Sequence, residues 1–155
     1  MDRKELYRMA LTAEIRSQNL YGALAKSFRH QETSSFFHEL VQLEKAHEDK
    51  IRKAMEIELP GMVFVVDAAI NQDFEGMDFS DPIKVLDFAM GREELAHRLY
   101  MDFASQTADL NLKATLLRLA EEEDEHKTLL LTEMQRIQGA LQWYDPSELN
   151  GLMED

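Results

Sequence analysis

The sequence predicts an all-α fold, a four-helix bundle made of two antiparallel hairpins with an internal two-fold pseudo-symmetry. Three observations predict it. Four long stretches carry apolar residues at spacings of three and four, almost no stretch alternates as a strand would, and the two halves repeat at an offset of 79 residues. The 155 residues suffice for one domain with a sizeable core, and six Gly and three Pro are few for a turn-rich β-sandwich.

The first hairpin is predicted over about residues 2–28 and 33–58. Asp2, with Glu5 three residues later, has the spacing of a capping box at the start of the first helix. The pair Thr33-Ser34 is available to cap the second helix, and a Leu-Pro-Gly sequence ends it.

The second hairpin is predicted over about residues 81–107 and 109–139. Its first helix begins at Asp81-Pro82, a cap residue followed by proline at the first helical position. The four helices define a bundle domain over residues 1–140, and residues 141–155 are predicted to form an acidic C-terminal tail.

The link between the hairpins, about residues 59–80, is much longer than the links within them. At about 3.3 Å per extended residue it can travel the full length of the bundle. Such a crossover makes the second and third helices parallel, which is the ferritin-like connectivity. The apolar run within this link, residues 62–70, is interpreted as an irregular cover on the bundle or as a short strand.

Charge and composition exclude several classes of function. The net charge of −13 argues against nucleic-acid binding. It suits a surface that attracts cations or a basic partner, and the alternative interpretation is that it only keeps the protein in solution. The chain has no Cys, which excludes disulfides, thiolate metal sites and iron–sulfur clusters. No 18-residue apolar run and no signal-peptide pattern is visible, so we expect a cytoplasmic protein without a membrane span.

The repeat carries chemistry as well as fold. Each half contains a Glu, a Tyr seven residues later, and a Glu-x-x-His that begins thirty residues after the first Glu. Residues at i and i+3 share a helix face, and seven residues are about two turns, so all four side chains of a half face inward. The eight candidate site residues are Glu14, Tyr21, Glu44, His47, Glu93, Tyr100, Glu123 and His126.

Two Glu-x-x-His helices and two single-Glu helices are the ligand set of a bundle-core di-iron or di-manganese site. Four buried carboxylates would repel each other unless cations neutralised them or they took up protons. Oxygen and imidazole ligands suit iron or manganese. We therefore expect a pair of iron or manganese ions, with neither haem nor an iron–sulfur cluster.

A single Glu-x-x-His is weak evidence in so acidic a chain. Glu94-Leu-Ala-His97 also fits the pattern and is interpreted as part of a solvated face. A metal-free structural bundle that binds a partner is therefore the alternative to a metal protein. Tyr21 and Tyr100 are expected to hydrogen-bond a metal-ligating carboxylate of the other half.

The pattern resembles the rubrerythrin-like branch of the ferritin-like superfamily over roughly residues 5–138. The resemblance rests on Ala10-x-x-x-Glu14 with Tyr21, on Gly91-Arg92-Glu93 with Tyr100, and on the two Glu-x-x-His motifs. It implies a non-haem di-iron site that reacts with hydrogen peroxide or dioxygen. In that site Glu14 and Glu93 would be terminal ligands, Glu44 and Glu123 would bridge, and each His would bind one metal.

Two departures from the family matter. The cysteine-ligated rubredoxin-like domain of full-length rubrerythrins has no counterpart in this sequence, so a stand-alone domain would need a separate redox protein as electron donor. The extra Glu that the family carries three residues after Glu93 is replaced by Ala96, which makes the site resemble ferroxidase-type centres. An iron-handling ferroxidase or storage subunit is therefore an alternative function.

The family resemblance also implies a homodimer. Two apolar segments are candidate contact surfaces, residues 62–70 and the pair Trp143-Tyr144. Packing within one chain is the alternative interpretation of both.

Overall fold

The computed structural model describes residues 2–143, which contain four helices and, within that range, no strand. The helices are α1 (Arg3–Ser27), α2 (Gln31–Glu58), α3 (Pro82–Ser105) and α4 (Leu110–Trp143). The predicted all-α four-helix bundle is confirmed. No helix in the described part of the chain combines the length and apolar character needed to cross a membrane.

Aspartate side chains begin three of the helices. Asp2 accepts a hydrogen bond from the backbone N–H of Lys4, and Asp81 accepts one from that of Lys84, each at 3.3 Å. Asp109 accepts from the backbone N–H of Asn111 at 2.9 Å, just before α4. These carboxylates pair amide groups that have no partner within the helix, and their charge suits the helix N-terminus.

The start of α2 differs from the prediction. The helix begins at Gln31, because the carbonyl oxygen of His30 already accepts from the backbone N–H of Ser34 at 2.9 Å. The hydroxyl of Ser34 donates instead to the carbonyl oxygen of Ala25 at 2.8 Å, so it ties α2 to α1 and does not cap the helix.

The end of α4 also differs. The helix continues to Trp143, so residues 141–143 belong to it and not to the predicted tail. The sequence offers no strong stop at residue 140, because α4 contains no proline and Gly139 costs a helix only about 1 kcal/mol relative to Ala. Residues 144–155, including Tyr144 and the rest of the predicted tail, lie outside the described residues.

Contacts between helices fix their directions. Tyr21 of α1 meets Glu93 of α3, and Glu14 of α1 meets Tyr100 of α3, so these two helices are antiparallel. The three-residue link from α1 to α2 makes that pair antiparallel as well. The helices α2 and α3 are therefore parallel, and the predicted ferritin-like connectivity is confirmed.

The crossover runs the length of the bundle as irregular chain with turns, not as a strand. Near its start, Met62 and Phe64 pack on an apolar cluster around Phe103, which we call the Phe103 cluster. Near its end, Phe74 is part of a second cluster at the other end of the bundle, around Phe37, which we call the Phe37 cluster. The middle of the bundle, between the two clusters, is charged.

Candidate metal centre

Six ionisable side chains from the four helices meet in this middle layer. α1 and α3 each contribute one Glu, and α2 and α4 each contribute a Glu and a His one turn apart. All are at most 4% exposed, although their carboxylates and imidazoles are polar: Glu14, Glu44, His47, Glu93, Glu123 and His126. The structure thus brings together all six candidate ligands that the sequence predicted.

The six side chains form two overlapping quartets. In each quartet the ligand atoms lie within 4.8 Å of one another, which is a spacing that one metal ion can bridge. One quartet contains Glu14 and His47, the other contains Glu93 and His126, and both contain Glu44 and Glu123. A carboxylate that belongs to both quartets lies between the two cation positions, as a bridging ligand does.

Distances within the quartets follow the repeat. Nδ1 of His47 lies 2.6 Å from Oε1 of Glu123, and Nδ1 of His126 lies 2.7 Å from Oε1 of Glu44. The two imidazole rings stack at a centroid distance of 5.3 Å with 10° between their planes. Each His therefore points its Nδ1 at a carboxylate of the opposite half.

Several oxygens in this layer are buried and receive no hydrogen bond from the described residues. They are Oε2 of Glu14, Glu44 and Glu93, and both oxygens of Glu123. The approach of His47 to Glu123, although close, lacks hydrogen-bond geometry. A buried carboxylate oxygen without a partner costs free energy, and a divalent cation between the oxygens supplies the missing partner. The donor set therefore fits a pair of divalent metal ions.

The pKa values of the four carboxyl groups in the layer are shifted in opposite directions. Burial, followed by the negative charge of Glu44, raises the pKa of Glu14 and Glu123 well above the ordinary value, and raises that of Glu93 to about 7. Burial alone would also raise the pKa of Glu44, but its interactions with Glu14 and with both imidazoles lower it. Glu44 is thus the most acidic of the four carboxyl groups.

The pKa values of both imidazoles are raised, which favours their charged form. Burial alone would lower the pKa of His47, but its contacts with Glu14 and Glu44 raise it to about 10. Glu44 similarly raises the pKa of His126 against the effect of burial. Without metal the layer stores protons at neutral pH, and metal binding must release them.

The two tyrosines tie the halves together. The Tyr21 hydroxyl donates to Oε1 of Glu93, and the Tyr100 hydroxyl donates to Oε1 of Glu14. Both side chains are buried, and burial with the adjacent carboxylate raises the pKa of each phenol well above its usual value. Each tyrosine remains a donor and fixes a Glu of the other half.

One contact of the candidate site was not predicted from the sequence. Oε2 of Glu122 lies 2.9 Å from Nε2 of His47, on the side of the ring that faces away from the carboxylates. The comparison of the halves concealed it, because the residue at the equivalent position is Leu43. The available signal was an acidic residue directly before Glu123, within an acidic run.

The additional Glu-x-x-His lies outside the centre. Glu94 pairs with Lys127, and Nδ1 of His97 lies 2.8 Å from the carbonyl oxygen of Ala120. Both residues are partly exposed and connect α3 to α4. Their contacts account for them without a metal.

A groove of about 540 Å³ lies between α1 and α3. Small side chains form part of its wall: Ala13, Ser17 and Ala96. Ala13 and Ser17 lie on the same helix as Glu14, and Ala96 follows Glu93 by one turn, but neither glutamate lines the groove. A larger groove of about 1030 Å³, lined by residues such as Tyr7 and Arg118, contains none of the six ligands.

The fold and the buried carboxylate–histidine layer define a ferritin-like bundle with a candidate dinuclear metal centre. The rubrerythrin family model matches residues 84–151, which include Glu93, Tyr100, Glu123 and His126. The predicted resemblance to the rubrerythrin-like branch of the ferritin-like superfamily is thereby confirmed.

The other comparisons bear on fold alone. A hypothetical protein from Pyrococcus furiosus is similar in structure, with a TM-score of 0.75 and 23% sequence identity over 87% of this chain and 89% of that one. No curated protein matches the sequence.

Proposed function

We propose that this chain is a non-haem di-iron protein that acts as an oxidoreductase on hydrogen peroxide or dioxygen, with electrons from a separate redox protein. The observation that carries the proposal is the pair of buried quartets that share Glu44 and Glu123. The family match supports it, because the resemblance implies such a site. When bound, the two metals supply Lewis acidity and the electrons that reduce the oxidant.

The protein's own residues hold the metals, orient the carboxylates and exclude water. Glu14 and Glu93 each retain one oxygen for metal while the other accepts from a tyrosine, so their orientation is fixed before metal arrives. Burial of the layer keeps bulk water out, which strengthens the electrostatic interactions inside it. We propose that a small oxidant approaches from the groove between α1 and α3, where Ala96 and other small side chains leave room.

Stopped-flow oxidation of the anaerobically iron-loaded protein tests this function. We expect oxidation by hydrogen peroxide to be faster than oxidation by dioxygen, with two ferrous ions consumed per chain. If neither oxidant reacts faster with the loaded protein than with free ferrous ion, the oxidoreductase proposal is wrong. Metal analysis at the iron and manganese absorption edges identifies the bound metal.

A ferroxidase or storage role is the second candidate, and Ala96 favours it. With Ala at this position the ligand set is the symmetric one of four Glu and two His. Storage also requires a hollow shell of many copies, so gel filtration separates the two roles. A monomer or dimer cannot enclose a mineral, whereas a large shell that takes up many iron ions per chain would favour storage.

A metal-free bundle that only binds a partner makes a different prediction. Protein purified without added metal would then carry less than about one metal ion per chain, and its melting temperature would not respond to iron. The buried oxygens without hydrogen-bond partners argue against it.

We further propose that a second copy of the chain contacts the crossover. Val63 and Val65 are 79% and 77% exposed, and they lie on the outer side of an extended segment whose inner side carries Met62 and Phe64. The same segment of a second copy, running antiparallel, is a self-complementary partner. Analytical ultracentrifugation tests this: V63D/V65D should be monomeric where the wild type is dimeric.

A further inference from the structure

The two halves of the centre differ in what lies behind the histidines. Nε2 of His47 faces Glu122 across 2.9 Å, from α2 to α4. The residue equivalent to Glu122 in the other half of the repeat is Leu43, which cannot accept a hydrogen bond through its side chain, and no residue in the described part of the chain hydrogen-bonds Nε2 of His126. Among the described residues, the repeat therefore supplies two alike sets of candidate ligands, but a carboxylate bonds the outer nitrogen of only one of the two histidines.

The position of Glu122 is itself fixed. Its other oxygen, Oε1, accepts from Nε of Arg118 one helical turn earlier at 3.3 Å. The Glu122 side chain is only 21% exposed. A carboxylate held in this way at both oxygens defines one orientation of the His47 ring.

This contact matters for a metal ligand because an imidazole binds metal through a nitrogen without a proton. When Nδ1 of His47 binds, the ring proton must sit on Nε2, and Glu122 is placed to accept the hydrogen bond from it. The carboxylate then fixes the tautomer and the ring plane and makes Nδ1 a stronger donor. Partners of this kind contribute about 10–100-fold to metal affinity.

We infer that Glu122 is a positioning residue that makes the two metal positions unequal, so that the His47 position binds its ion more tightly and fills first. The inference rests on the proposed dinuclear function. It assigns an order to the centre: the ion next to Glu14 and His47 binds first, and the ion next to Glu93 and His126 follows. An ion held in only one position before the second arrives gives the centre a defined half-loaded state.

The test is an anaerobic titration of the metal-free protein with Mn²⁺, in which the paramagnetic resonance signal of free Mn²⁺ reports binding. We expect two steps that differ about 10–100-fold in dissociation constant. E122L, which installs the residue type of the other half, should weaken the tight step by that factor. L43E should strengthen the weak step.

The control is E121L. Glu121 also pairs with Arg118, at 3.5 Å, but its side chain is 62% exposed and does not reach His47. Removal of this carboxylate changes the charge by the same amount, so both steps should stay as in the wild type. A circular dichroism melt of each variant checks that the bundle still folds.

Single-histidine variants assign the steps. H126A should keep the tight step, and H47A should lose it. Two equal steps in the wild type would overturn the inequality, and a tight step that survives in H47A or in E122L would overturn its assignment to His47 and Glu122; either result leaves a dinuclear centre in place. Failure of the folded wild type to bind any Mn²⁺ or Fe²⁺ would instead overturn the proposed function.

Discussion

The apolar ends of the bundle and its charged middle are made from the same four helices but are held together by different forces. At the ends, aromatic rings pack closely: Phe28 stacks on Phe37 at 5.4 Å, and Tyr7 meets Phe103 edge-on at 5.0 Å. Apolar burial of this kind stabilises the fold by about 25 cal/mol for each Å² removed from water. In the middle, buried carboxyl groups have to be protonated or neutralised, which opposes folding.

The comparison teaches that the ends position the middle. Each helix contributes buried residues to both the Phe37 cluster and the Phe103 cluster, which lie on opposite sides of the charged layer. The candidate ligands therefore face one another before any cation binds. Without metal, the charged layer lowers the stability of the fold. Variants at the ends should therefore change folding, and variants in the middle should change metal binding.

The largest expected effect comes from the middle. Glu44 belongs to both quartets, so E44Q removes a ligand from both metal positions at once. We expect metal content after anaerobic loading with ferrous ion to fall from about two ions per chain to near zero. Inductively coupled plasma mass spectrometry of the desalted protein measures it.

Glu48 provides the matched control for E44Q. It lies one turn further along α2, is also buried, and pairs with Gln18 and Arg52 outside the quartets. E48Q should keep two metal ions. Equal metal content in E44Q and E48Q would contradict the assignment of Glu44 as a shared ligand.

The next effect comes from the ends. Phe37 is fully buried, so F37A should lower the free energy of unfolding of the metal-free protein by about 3–5 kcal/mol through lost burial and a new cavity. Urea denaturation measures it. L110A, at a position that is 80% exposed, should change the same quantity by less than about 0.5 kcal/mol. If F37A abolished metal binding in protein that is still folded, the separation of roles would be wrong.

A smaller effect is the response of the middle layer to pH. The pKa of His47 rises from 6.5 to about 10 in the folded protein, and that of Glu93 rises from 4.5 to about 7. The folded metal-free state therefore binds more protons than the unfolded state, and its stability falls as pH rises between these values. Metal needs the deprotonated ligands, so its affinity rises over the same interval.

Scanning calorimetry at pH 5 and pH 8 checks this dependence. The melting temperature of the metal-free protein should fall between the two pH values, and the increase caused by metal should be larger at pH 8. E44Q, which is expected not to load, should show no metal-induced increase at either pH. A metal-induced increase in melting temperature that shrinks as pH rises would contradict the expected release of protons on metal binding.

The sequence predicted the helices and the candidate ligands better than the residues at which the helices begin and end. Periodicity located all four helices, because each carries a continuous apolar stripe, and the 79-residue offset located the six candidate ligands, which the structure brings together in one layer. The boundaries at Gln31 and Trp143 were not predicted. Backbone hydrogen bonds can begin a helix without a capping side chain, as at Gln31, and α4 carries no strong stop before Trp143.

Glu122 escaped prediction for another reason. A repeat identifies what two halves share, and the contact between Glu122 and His47 exists in only one half. The same limit applies to the crossover, whose pattern allowed both a strand and an irregular cover. Which one forms depends on the bundle surface that receives Met62 and Phe64, and that surface is made by residues distant in sequence.

The smallest effect separates support of a ligand from support of the fold. Y21F removes a donor to Glu93, whereas Y7F removes a donor to Glu58, a residue outside the quartets. Each loss of a hydrogen bond to a charged group should cost about 1.5–3 kcal/mol of stability. Only Y21F should also weaken Mn²⁺ binding, by about tenfold, because only its hydroxyl orients a ligand. Equal Mn²⁺ affinities in Y21F and Y7F would mean that Tyr21 supports the fold alone.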